Sequence, residues 1–179
     1  TPEAIAAKVS GDHRFEVPTG TERLTFFVDV HGELQYYAVT AWRKGFTGVV
    51  IDYATWPEQK AQYFDMKHAR QKVSKHHAIT ATTVEGRVEQ SLDLLFKELS
   101  EKEWVSAAGV HYSLEFGLCD ANWGPCTDEV YRACLHAQRK YGLKVLPSHG
   151  MPFGVSKCPI SRWDKAKVKG KSGDEWHIP

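Results

Sequence analysis

The stretch that decides the fold runs LTFFVDV (Leu24–Val30), then His31-Gly32, ELQYYAVTAW (Glu33–Trp42), Lys44-Gly45 and FTGVVIDY (Phe46–Tyr53). β-Branched and aromatic residues fill these runs, and Gly-containing pairs break them, which predicts a three-stranded antiparallel meander. Side chains alternate across a strand, so Leu24, Phe26, Val28 and Val30 share one face while Thr25, Phe27 and Asp29 share the other. Apolar residues on both faces predict a central strand covered on both sides.

Downstream, residues 56–83 are polar and carry a His-rich basic stretch from Lys67 to His77. The Thr82–Glu85 segment resembles a capping signal, and Val88, Leu92, Leu95, Phe96 and Leu99 recur at helical spacing, which predicts an amphipathic helix. After the charged turn Ser100–Glu103, Ser113–Cys119 reads as a strand ending in Asp120. Thr127 is placed to cap a second helix with Asp128 and Glu129 in its first turn, and Gly142 is placed to end it. Val130, Cys134, Ala137 and Tyr141 form its apolar stripe. Leu143–Leu146 then reads as a short strand, parallel to the Ser113–Cys119 strand. The order β-β-β-α-β-α-β is that of an α/β, ribonuclease H-like mixed sheet: an antiparallel three-strand meander plus parallel strands, with helices on its faces. Residues 1–22, with Gly11, Pro18 and Gly20, read as a linker, and the Thr1-Pro2 start leads us to expect a domain cut from a longer polypeptide. The expected folded domain is 23–179.

Composition narrows the classes. With 179 residues, 42% hydrophobic and 25% charged, the chain has the make-up of one globular domain. Its 23 Lys and Arg nearly balance 22 Asp and Glu, so a polyanion must be met by a local patch. The apolar runs are far shorter than the roughly 20 residues of a membrane-spanning helix, and no membrane partner is expected. Cys119, Cys126, Cys134 and Cys158 form no Cys-x-x-Cys pair and read as free thiols of a reducing compartment.

Two carboxylates stand out. Asp29 interrupts an apolar strand, where an ionised group must be paired, hydrated or metal-bound; the plainer reading is a strand-end Asp facing water. Asp120 ends a strand at the carboxyl edge of the sheet, where open α/β sheets bind ligands; its plainer reading is a turn residue before Asn122. If their strands are neighbours, the pair offers hard oxygen ligands for Mg²⁺ or Mn²⁺. Arg162, Lys165, Lys167, Lys169 and Lys171 form a basic stretch suited to phosphate contacts, or a solvated loop. His149 follows the strand beside Asp120, near enough to contact substrate phosphate or a site carboxylate, or to cap its own loop. The remaining histidines lack zinc-ligand spacing, and the tryptophans read as packing anchors.

The motifs, taken in order, resemble a known family: the nuclease domain of the large terminase subunit of tailed double-stranded DNA phages, in the lambda-type branch. They are Val17–Thr25 leading into Val28-Asp29-Val30, then Val50–Tyr53 with Thr55-Trp56-Pro57, then Asp120–Gly124 with Thr127–Tyr131, and Pro147–Gly150. The resemblance implies a ribonuclease H-like, two-metal (Mg²⁺ or Mn²⁺) endonuclease that cuts concatemeric DNA in the cytoplasm of an infected or lysogenic bacterial host. It implies an upstream ATPase domain, a small terminase subunit and a portal as partners. Asp29 matches the family's first-strand catalytic acid and Asp120 its second. The family's third acid lies on a late helix. No helix is read after His149, which leaves Asp128, Asp164 and Asp174 as its candidates. The competing readings are a non-catalytic DNA- or portal-docking module and another ribonuclease H-like nuclease such as a junction resolvase.

Overall fold

The computed structural model describes residues 13–61 and 64–150, together with Ala4 and Ala7. The meander forms as β2 (Arg23–Val30), β3 (Gln35–Arg43) and β4 (Thr47–Trp56), paired antiparallel. Two further strands, β7 (Leu114–Asp120) and β8 (Val145–Ser148), join in parallel, giving a five-stranded mixed sheet in the order β4-β3-β2-β7-β8. A second, three-stranded sheet unites β1 (Glu16–Val17), β5 (Trp104–Ser106) and β6 (His111–Tyr112). Within the 1–22 stretch read as a linker, Val17 is therefore buried in a strand that pairs with β5.

Helix α1 (Val84–Glu101) starts at Thr83, whose hydroxyl accepts from the Gly86 N–H at 3.2 Å. Its Val88, Leu92, Leu95, Phe96 and Leu99 are buried at the spacing that makes one continuous stripe. Helix α2 (Thr127–Tyr141) ends at Gly142, whose φ of 67° is the left-handed value glycine adopts without strain. Thr127 does not cap this helix: its hydroxyl donates to the Ala121 carbonyl at 3.0 Å and ties the helix to the end of β7. Asp128 and Glu129 occupy the first turn, where negative charge suits the helix dipole.

Both helices share one core with Leu24, Phe26, Val28 and Val30 of β2, and each fully buried large aliphatic side chain there contributes about 2 kcal/mol. The expectation that β2 is covered on both sides is corrected. It is central, but among the described residues the helices cover only the face of Leu24 and Val28. On the opposite face Phe27 is 44% exposed, and Val50, Tyr53 and Leu146 are exposed with it. Among the described residues no helix is long and apolar enough to cross a membrane.

Candidate functional site

The parallel pairing of β2 with β7 aligns Val28 with Cys119. One step further along each strand are Asp29 and Asp120, at the carboxyl ends of neighbouring parallel strands. Cross-strand pairing extends this row in both directions, to Tyr36 on β3 and Ser148 on β8. Asp29 and Asp120 line one cleft of about 620 Å³ with His31, Arg87, Asn122 and Trp123. The floor behind them is apolar. Burial, a hydrogen bond with Cys134 and the charges of Asp120 and Asp29 push the Cys119 thiol well up, so it remains a neutral packing group.

Three local devices hold the cleft walls. Gln35, fully buried, donates its amide N–H groups to the His31 carbonyl at 2.9 Å and to Ser91 Oγ of α1 at 2.9 Å, and accepts from the His31 N–H at 3.2 Å. The β2–β3 turn is thereby fastened to α1. Gly32 admits the Trp123 ring: a Cβ at that position would lie 3.0 Å from Trp123 Cη2. The Asn122 N–H donates to Asp120 Oδ1 at 3.1 Å and fixes that carboxylate against its own turn.

His31 was not singled out by the sequence. Its Nε2 lies 3.2 Å from Asp29 Oδ2, and its ring meets Tyr36 edge-on at 5.5 Å. Burial, then the charges of Asp29 and Asp65, push the Tyr36 hydroxyl up, so it stays protonated. His149 is one residue removed from the acids: its Nδ1 lies 3.3 Å from Asn122 Oδ1 and its Nε2 3.2 Å from the Tyr131 hydroxyl. It braces the Asn122 turn and does not line the cleft.

Asp128 is exposed in the first turn of α2 and is not among the residues that line the cleft. Asp164 and Asp174, and the basic residues Arg162, Lys165, Lys167, Lys169 and Lys171, lie outside the described residues, as does Cys158. Among the described residues no group of three or more His, Cys, Asp or Glu side chains converges to hold a metal ion. What remains is a carboxylate pair, able to give a hard cation two oxygen ligands and leave its other positions to water or substrate.

No protein-family model and no curated protein matches the chain. Among solved structures it is similar to the Ppx/GppA phosphatase of Aquifex aeolicus. The type II variant gives a TM-score of 0.38 at 10% identity, over 71% of this chain and 36% of that one. A second structure of that organism's family member gives 0.36 at 9% identity, over 71% and 35%. The chain thus spans about a third of the length of the structures it matches. A likeness this partial does not bear on activity.

Proposed function

We propose that this chain is a ribonuclease H-like nuclease domain of the terminase large-subunit kind, a divalent-metal-dependent endonuclease acting on concatemeric double-stranded DNA. The observation that carries the reading is the meeting of Asp29 and Asp120 in one cleft, at the carboxyl ends of adjacent parallel strands. The sheet order, an antiparallel meander whose first strand is central and continues on its other side into the parallel strands β7 and β8, supports the fold assignment. An upstream motor domain, a small subunit, a portal and a bacterial host cytoplasm follow from the family resemblance and belong to the same proposal.

The donor set fits one hard ion: two carboxylates, one half-exposed, on rigid strands. A bound Mg²⁺ or Mn²⁺ would supply Lewis-acid charge to a phosphate oxygen and lower the pKa of an attacking water. The chain's own contribution is positional. Asp29 and Asp120 present oxygens from strands that cannot shift independently, His31 orients the Asp29 carboxylate, and the Asn122 N–H orients that of Asp120. A two-ion site needs further anionic ligands, and none joins the pair among the described residues.

That incomplete ligand set, with the apolar sheet face exposing Phe27 and Tyr53, favours a second reading: a docking module for DNA or a portal in which Asp29 and Asp120 are structural. Plasmid nicking in Mn²⁺ separates the two. The nuclease reading expects Asp29→Asn and Asp120→Asn each to abolish nicking while the thermal transition stays near wild type. Unchanged nicking in either variant removes the assignment.

A further inference from the structure

Among the described residues lining the cleft that holds Asp29 and Asp120, Arg87 is the one guanidinium. It sits in the first turns of α1, hydrogen-bonded through its backbone N–H to the Thr83 carbonyl at 3.1 Å. A cation there faces the positive end of the helix dipole, the end that favours acids. An ion pair normally offsets such a placement, yet Arg87 makes no salt bridge among the described residues. The Arg87 Nε is buried and has no hydrogen-bond acceptor. A buried donor left unmade is costly, and here it belongs to the same side chain as the unfavourably placed charge.

Of the carboxylates lining the same cleft, Asp29 and Asp120 make no ion pair with Arg87, and Glu33 is engaged by the Ser74 N–H at 3.0 Å and the Ser74 hydroxyl at 2.7 Å. A cleft that holds cation-binding oxygens together with a guanidinium making no ion pair matches one chemical class: a phosphodiester, whose oxygens can meet a metal on one side and a planar fork on the other. We propose that Arg87 binds a backbone phosphate of duplex DNA seated across this cleft, and so determines where the strand lies against Asp29 and Asp120. The proposal rests on the nuclease reading for its substrate, and its test keeps the two apart.

The full chain is titrated with a fluorescent duplex oligonucleotide in Ca²⁺, over a range of salt, and separately with Mn²⁺ alone. Arg87→Gln should weaken duplex binding about tenfold and flatten the salt dependence by a slope of about 0.9, the value of one phosphate contact. Mn²⁺ affinity should not fall, because Arg87 holds no metal. Arg87→Lys, which keeps the charge but loses the fork, should retain the salt slope and lose several-fold in affinity. It also guards against misfolding of the Gln variant. Unchanged affinity and slope in the variants, or a wild-type chain that does not bind the duplex, overturns the proposal. Failure of the nuclease reading shows elsewhere, as Mn²⁺ binding that is indifferent to Asp29→Asn.

Discussion

The ring of Phe26 lies directly over Gly117, its cross-strand partner on β7: a Cβ at position 117 would come within 2.1 Å of Phe26 Cζ. Phe26 is buried and packs edge-on against Phe96 of α1 at 6.4 Å, so it has no room to withdraw. This contact joins the meander and the parallel half of the sheet to the helix layer. It also sets the spacing of the two strands that carry Asp29 and Asp120.

Gly117→Ala should therefore destabilise the fold by about 2–3 kcal/mol, the upper range for overpacking a filled core. Urea unfolding checks this, and a shift under about 0.5 kcal/mol would mean that the ring moves aside freely.

A second prediction concerns Asp52. Its carboxylate is fully buried on β4, with Lys102 Nζ 2.7 Å from Oδ2, Arg14 Nη2 2.7 Å from Oδ1 and the Tyr37 hydroxyl donating at 3.2 Å. Arg14 and Lys102 also lie over the Phe15 ring, at 4.5 Å and 3.9 Å. Removing one cation leaves a buried charge half-compensated. Lys102→Met should cost about 3 kcal/mol, near the lower end for a broken buried pair because Arg14 remains. Asp52→Asn combined with Lys102→Met should recover part of that loss, since no buried charge is then left in deficit. A double variant less stable than Lys102→Met alone would contradict this account.

The same cluster sets a pH dependence. Burial, then the charge and hydrogen bond of Asp52, push the Tyr37 hydroxyl far above its ordinary value near 10. An acid whose pKa is higher folded than unfolded keeps its proton in the folded chain after the unfolded chain has released it. Its stabilising contribution is thus complete below about pH 10 and declines as pH rises above that. Thermal unfolding between pH 8 and 11 should show falling stability, and Tyr37→Phe should flatten the fall while lowering stability at pH 8. An equally steep decline in Tyr37→Phe would assign the effect to another group.

The meander was legible because its strands are long and its turns carry glycine, and both helices were legible because Val88–Leu99 and Val130–Ala137 repeat at helical spacing. The small sheet was not. β1, β5 and β6 are two or three residues long, too short for any period, and Glu16–Val17 finds its partner only after α1 has returned the chain. Asp52 escaped because the register shift at Val39/Thr40 buries Ile51 and Asp52 together and breaks the alternation that sequence reading relies on. Asp29 and Asp120 could be picked out as acids ending apolar strands. His31 and Arg87 could not, since a turn histidine and a helix-surface arginine carry no signal until the strands bring their cleft together.

The last prediction concerns metal stoichiometry. Two carboxylates can hold one divalent ion with water completing its shell, whereas a second ion about 4 Å away adds charge that further anionic ligands must balance. Among the described residues Asp29 and Asp120 stand as a pair, with no third acid converging on them. Mn²⁺ titration of the chain, followed by electron paramagnetic resonance of the free ion, should therefore give one measurable site and a much weaker second. Asp29→Asn and Asp120→Asn should each remove the first site, because either change halves the negative charge that holds it. Nicking should in turn require high metal concentration and rise steeply with it. Two well-occupied sites at low metal would overturn this view and direct the search for the missing ligand to Asp164 and Asp174, each tested by its own Asn variant in the same titration.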